Sequence, residues 1–193
     1  MTLIRNYNFS ENQITAFAVD SAGYLWIAFA QDASGNCAFQ KVSVNNPLQK
    51  YYDIDISVDE IKKISVSGSY VYLAYNDTTY IGARYSLLNP LTTYTNFSLP
   101  AGITEAPIDV LINGNDLFYL IPGESSGQNA KIVVFNTSGI FDQIIDLSTV
   151  TNAKSITIDS GSGDLWVVTN SSPANYVRVY EQSGGNWTYT VNN

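Results

Sequence analysis

Histidine is absent from this sequence and cysteine occurs once, at Cys37. Cys–His and Ser–His–Asp pairs are therefore excluded, because such nucleophiles need an activating base beside them. Cys37 cannot form an intramolecular disulfide and reads as a small, half-buried strand residue. The acids are the remaining candidates for chemistry. Asp159-Ser-Gly-Ser-Gly-Asp164 has the outline of a calcium loop. It lacks the ligand count and closing Glu of an EF-hand and reads as an Asp-capped hairpin turn. Asp20 with Gly23 reads the same way. Asp53 with Asp55, and Asp59 with Glu60, suggest acid–base pairs by proximity. Asp53 and Asp55 share one face of a strand, however, and read as a solvated edge that discourages strand pairing. Asp109 is the one acid expected on an innermost strand, satisfied there by a neighbouring amide. No catalytic residue, metal ligand or cofactor is expected.

Two other residue classes stand out. Asn8, Asn76, Asn96, Asn136, Asn170 and Asn186 each begin an N-x-S/T sequon. Asn8, Asn96 and Asn186 are expected on outer strands, Asn76 and Asn170 in loops; a glycan fits either place. Tyrosine is abundant, with 14 residues. Tyr51, Tyr52, Tyr85, Tyr94, Tyr180 and Tyr189 fall in the outer half of a blade, and tyrosine suits both binding surfaces and strands.

The elements that must position these residues repeat. Phe17 to Ala28, Ile64 to Ala74, Val110 to Leu120 and Ile156 to Val168 each read as strand, glycine-containing turn, strand. Glycine supplies the positive φ that tight hairpins require. The equivalent residues Leu25, Val71, Leu117 and Leu165 stand 46, 46 and 48 residues apart. Third strands are predicted at Cys37 to Val44, Tyr80 to Leu87, Lys131 to Asn136 and Tyr176 to Glu181. Fourth strands are predicted at Gln49 to Ile56, Thr93 to Leu99, Phe141 to Leu147 and Trp187 to Val191. A period in the mid-forties with four short strands is the pattern of a β-propeller blade.

The predicted fold is thus all-β: one domain over 1–193, with four four-stranded antiparallel blades at about 13–58, 59–103, 104–150 and 151–193. Arg5 to Ser10 resembles the outer strand Thr93 to Ser98, so residues 1–12 are expected to form an extra outer strand. An arc cut from a larger ring and a protein pairing its spare strand with another subunit are both open. A β-sandwich is the rival architecture. Apolar crowding in the first two strands of each repeat predicts burial on both faces. Only Asp59 to Lys63 reads as a turn of helix.

The run Val19-Asp20-Ser-Ala-Gly23-Tyr-Leu25-Trp26-Ile27 resembles the D-x-x-G-x-L-W-V motif of two-component-regulator propeller repeats, and the related blades of NHL-type propellers. Asp159 to Val167 matches with one extra turn residue, whereas the second and third repeats lack the Trp. The resemblance implies a blade's inner hairpin, with Asp capping the turn and the aromatic wedged between blades. It implies fold rather than function, because propellers host enzymes, scaffolds and lectins. The Asp-to-Trp runs differ from the S-x-D-x-G-x-x-W box of sialidase-type propellers in glycine offset. Neither an arginine triad nor the acidic metal set of lactonase-type propellers is evident.

The net charge of −8 disfavours nucleic acid and anionic membranes. No apolar run approaches the ~20 residues of a membrane span. Met1 to Asn6 has no signal-peptide apolar core, so export by that route is expected only if a leader lies outside this chain. Only 13% of residues are charged, about half the usual share. This neutral polar surface resembles that of exposed proteins of viruses infecting microbes. The expected function is a non-enzymatic binding or display module on a virion or cell surface, recognising a protein or glycan and self-associating. The alternatives are a sensor or scaffold domain of a larger regulator and, third, a glycoside or lactone hydrolase. Asp32, Asp77, Glu124 and Asn175, in loops between second and third strands, are the expected binding residues.

Overall fold

The computed structural model describes residues 13–46, 49–124, 127–171, 174–183 and 186–190. The proposed outer strand over 1–12, and Asn8 with it, lie outside the described residues. Among the described residues sixteen strands form four antiparallel sheets of four, each in simple chain order. Blade 1 contains β1 (Ile14–Val19), β2 (Tyr24–Gln31), β3 (Cys37–Ser43) and β4 (Lys50–Ile56). Blade 2 contains β5 (Glu60–Ser67), β6 (Tyr70–Asn76), β7 (Tyr80–Ser86) and β8 (Tyr94–Ser98). Blade 3 contains β9 (Asp109–Asn113), β10 (Asp116–Ile121), β11 (Lys131–Asn136) and β12 (Phe141–Asp146). Blade 4 contains β13 (Ala153–Ile158), β14 (Leu165–Ser171), β15 (Ala174–Ser183) and β16 (Asn186–Thr190).

The first hairpin of every blade turns on a positive-φ glycine: Gly23, Gly68, Gly114 and Gly163. Consecutive blades pack through their innermost strands, β1 on β5, β5 on β9 and β9 on β13. Strand alternation then assigns each side chain to one of two faces. Trp26 and Ala28 of β2 face blade 2, where they meet Val71, Leu73 and Tyr75 of β6. Tyr72 and Ala74 face blade 3 and meet Leu117, Tyr119 and Ile121 of β10. Phe118 and Leu120 face blade 4 and meet Leu165 and Val167 of β14. Three apolar clusters therefore lie between four blades. Among the described residues no apolar cluster joins blade 4 to blade 1.

Two expectations change. Asp59 to Lys63 is not a helical turn: Glu60 onward belongs to β5, because Ile61 and Ile64 are drawn into the interface between blades 1 and 2. The innermost strands are also less buried than their apolar crowding suggests. Burial on both faces belongs to β2, β6 and β10, which other strands flank within their own sheet. In β1 and β13 buried residues are the minority. Among the described residues no helix is long and apolar enough to cross a membrane.

Candidate functional site

The acids singled out in the sequence serve the fold. Asp20 is buried; its Oδ1 accepts from the Ala22 and Tyr24 amides, at 3.0 and 2.9 Å. Its Oδ2 accepts the Trp26 indole N–H at 3.1 Å. Lys41 Nζ stands 3.8 Å from Oδ2, lies 4.4 Å above the Tyr24 ring centroid and donates to the Leu87 carbonyl. Asp159 caps its own turn, accepting from the Gly161 amide and the Ser162 hydroxyl. Asp109, on β9, accepts from the Val110 and Ile156 amides and from Ser155 Oγ at 2.7 Å, and pairs with Lys63 at 3.1 Å. A carboxylate holding three hydrogen bonds and an ion pair is spoken for. Asp53 and Asp55 lie exposed on β4, Asp53 paired with Lys50. Cys37 is buried with Sγ directed at the Val58 carbonyl, and burial raises its thiol pKa. Among the described residues no group of three or more His, Cys, Asp or Glu stands together to hold a metal.

The four proposed binding residues, one to a blade, lie where second strands give way to third, and three have structural duties or strand positions. Asp32 Oδ1 accepts from the Ser34 and Asn36 amides. Asp77 Oδ1 accepts from the Thr79 and Tyr80 amides at 2.7 Å. Both are turn caps, the role short acidic side chains take in tight loops. Asn175 lies within β15, opposite Asn170. Glu124 pairs with Lys154 at 2.7 Å on the rim of a 380 Å³ depression shared with Lys62, Asn76, Glu105 and Pro122. Glu105 there accepts from the Gly123 and Glu124 amides.

The sequons occupy mixed positions. Asn96 is exposed on β8. Asn76 ends β6 and Asn170 lies one residue before the end of β14, so both belong to strands rather than loops. Asn136 is half-buried and its Oδ1 caps a turn, accepting from the Ser138 and Ile140 amides. Asn186 lies in β16.

A concave, largely apolar feature lies elsewhere, between the outer halves of blades 1 and 2. A groove of about 310 Å³ is lined by Ile54 to Val58, Tyr75, Tyr80, Tyr85, Pro90, Leu91, Tyr94 and Asn96. Tyr85 stacks on Tyr94 with centroids 5.4 Å apart and planes 15° apart, and Tyr75 and Tyr85 hydroxyls lie 3.3 Å apart. Burial raises both hydroxyl pKa values, so both stay neutral. Tyr94 is 55% exposed, so its ring forms an open wall. Asp55, Ser57 and Asn96 supply polar groups among the lining. Apolar walls with a few convergent polar groups are the usual composition of a ligand site. The sequence placed Tyr85 and Tyr94 in the outer half of a blade, as suited to a strand or a binding surface; Tyr85 is buried. Tyr180, placed with them in the sequence, is buried against blade 3. Tyr75, Tyr80 and Leu91 were missed. Their signal, tyrosines flanking the β6–β7 hairpin, has meaning only once blade 1 is packed alongside.

Comparison with known proteins agrees with this fold. A family model described as two component regulator propeller matches residues 8–36. No curated protein matches the chain. Among solved structures, hydrazine synthase of Kuenenia stuttgartiensis superposes with a TM-score of 0.72 at 16% identity, over 92% of this chain and 53% of that one. The periplasmic gluconolactonase of Pseudomonas aeruginosa gives 0.62 at 13% identity, over 93% and 56%. An extracellular domain described as part of a hybrid two component system of B. thetaiotaomicron gives 0.53 at 10% identity, over 93% and 30%. At such identities the likeness defines the fold: this chain is an array of β-propeller blades. It spans about half the length of the first two chains it resembles.

Proposed function

We propose that this chain is a non-enzymatic recognition module that binds a neutral, polyhydroxylated ligand, of the glycan class, in the tyrosine groove between blades 1 and 2. The observation that carries this reading is the exposed Tyr94 ring backed by Tyr85, with Asp55, Ser57 and Asn96 beside it. A sugar ring has an apolar C–H face and a rim of hydroxyls. The first fits an aromatic wall and the second fits carboxylate, amide and hydroxyl partners. The absence of histidine and the committed state of Asp109, Asp20 and Cys37 favour binding over catalysis.

Such a module fits best as the outward-facing sensing part of a larger regulatory protein, working outside the cytoplasm. The match of residues 8–36 to two-component-regulator propellers supports this, as do extracellular and periplasmic neighbours. Display on a cell or virion surface is the second reading. It rests on the sparse charge and the sequons, of which exposed Asn96 is the best placed. The virion version finds no support beyond composition.

The test is titration of the purified chain against a panel of neutral and acidic oligosaccharides, with Tyr94→Ala and Asn96→Ala beside the wild type. Neutral glycans are expected to bind, and Tyr94→Ala to weaken binding about tenfold, the equivalent of about 1.4 kcal/mol. Binding that ignores Tyr94→Ala would remove the groove from the argument. Failure of every glycan would remove the ligand class.

A further inference from the structure

We propose that the cleft between the outer halves of blades 3 and 4 is a second binding site, built around Arg178 and taking a small organic carboxylate with a flat apolar body. It stands apart from the groove between blades 1 and 2 and does not depend on it.

The repeat singles out the residue. Ile27, Leu73, Tyr119 and Val167 hold one equivalent position, two residues beyond Leu25, Val71, Leu117 and Leu165. Their partners on the third strands are Gln40, Ala83, Val133 and Arg178. The position faces back, Ala83 towards blade 1 and Val133 towards blade 2. Gln40, Ala83 and Val133 are buried and uncharged. Blade 4 places a half-buried guanidinium there, on the same face as Tyr180 and turned to blade 3. The other blades fold with a neutral residue at this point, so the fold does not require the charge.

Blade 3 fixes this guanidinium. Nη1 donates to the Ser148 carbonyl at 2.9 Å and Nη2 to Thr149 Oγ1 at 3.0 Å. Both acceptors are neutral, so these two bonds orient the charge without cancelling it. Thr149 is strained in providing one of them. The Val150 amide donates to the Leu147 carbonyl at 2.8 Å and closes a β-turn with Thr149 at its third position. Thr149 has φ 65, a left-handed conformation that glycine or asparagine fills and a β-branched residue resists. Glycine would make the same turn without strain, but it has no hydroxyl for Arg178. Backbone strain retained to position a charged group is characteristic of functional sites.

The cleft holds about 350 Å³, within the range of small-molecule sites. Half-buried Trp187 gives it an apolar wall, set perpendicular to Phe118 with centroids 6.0 Å apart. Buried Tyr180 lies beside it. Asp146 also borders the cleft. Ile145 faces blade 4, so alternation turns the Asp146 side chain to the opposite face, where Oδ1 accepts from Asn129 Nδ2 at 3.3 Å. A planar guanidinium matches a carboxylate in shape, and an indole wall matches a flat ring. One guanidinium balances one negative charge, which suits a carboxylate better than a phosphate.

The experiment is calorimetric titration of the chain with benzoate, and with benzamide, acetate and inorganic phosphate as controls. Benzoate is expected to bind saturably, with benzamide and acetate each at least about tenfold weaker, because one lacks the charge and the other the ring. Arg178→Gln and Trp187→Leu should each weaken benzoate about tenfold, whereas Tyr94→Ala, in the other groove, should leave it unchanged. Thr149→Gly is the sharper variant and guards against misfolding. It relieves the turn, so it should melt no lower than the wild type, yet bind benzoate more weakly. A purely structural Arg178–Thr149 contact predicts the reverse, a lower melting temperature with unchanged binding. Benzoate that fails to bind, that binds no better than phosphate, or that ignores both Arg178→Gln and Thr149→Gly would each overturn the proposal.

Discussion

The carboxylate of Asp20 accepts the indole N–H of Trp26 at 3.1 Å inside the core of blade 1. The same carboxylate holds the turn amides of Ala22 and Tyr24 and stands near Lys41. One acid thus closes the hairpin, orients the wedge that packs against blade 2, and gives the buried Lys41 its counter-charge. Asp20→Ala should destabilise the chain by about 2–4 kcal/mol, since it strands buried donors and a charge together. Asp20→Asn should cost less, because one amide oxygen still accepts. Denaturant unfolding of the two variants measures this. Equal losses would mean that the charge, rather than the hydrogen bonds, is what matters.

Asp109 performs the same service between blades. It sits on β9 and reaches Lys63 of β5 and Ser155 and Ile156 of β13. Lys63 is half exposed and can turn to water, so its loss is mild. The Ile156 amide cannot move away. Asp109→Ala should therefore cost about 1–3 kcal/mol, the range for a buried donor left unsatisfied. The loss should persist in high salt, because salt screens the Lys63 contact and not the hydrogen bonds. A loss that vanishes in salt would reverse that assignment.

These two acids also show what was legible in the sequence. Asp20 and Gly23 at fixed spacing before Leu25 and Trp26 specify a hairpin by local chemistry, and the structure contains it. The period of Leu25, Val71, Leu117 and Leu165 located four blades for the same reason. Asp109 was placed on an innermost strand, but its partners Lys63 and Ser155 are 46 residues away in either direction, and no local pattern encodes them. The tyrosine groove failed to appear for the same cause: Asp55 looked like a wet edge until blade 2 set Tyr75, Tyr80 and Leu91 beside it. Asp32 and Asp77 looked like free loop acids because turn capping is invisible without the backbone.

Gly82 offers a prediction of close packing. A Cβ there would lie 2.1 Å from the Leu73 carbonyl oxygen and 2.4 Å from the Tyr119 hydroxyl. That hydroxyl donates to Leu73 O at 3.0 Å, across the boundary between blades 2 and 3. Gly82→Ala must push Tyr119 away and break the bond. The expected cost is about 1–3 kcal/mol, in the range of core overpacking. In the Tyr119→Phe background part of the obstruction is gone, and the added cost of Gly82→Ala should shrink. A double-mutant cycle reads this coupling directly. Strict additivity would place the clash elsewhere.

The buried tyrosines set the limit of stability at high pH. Burial raises the hydroxyl pKa of Tyr75 and Tyr119 well above the usual 10.0, and those of Tyr72 and Tyr85 above it. Burial also raises the Cys37 thiol above 9.0. Above these ordinary values the unfolded chain releases protons that the folded chain keeps. The folded state then binds more protons, so stability falls as pH rises. Lys41 acts in the opposite sense. Burial lowers its pKa below 10.5, outweighing the attraction of Asp20, so its burial penalty is relieved as it deprotonates. One lysine opposes four tyrosines and a thiol, and the net slope is downward. Thermal melts at stepped pH should hold level below about pH 9 and fall steeply past about pH 10. Tyrosinate absorbance should develop with unfolding rather than before it for the buried group. Tyr75→Phe, which removes one proton-linked site, should make the fall shallower. A melting temperature that stayed level through pH 11 would mean that these hydroxyls ionise in the folded chain, and that the tyrosine core is open to water.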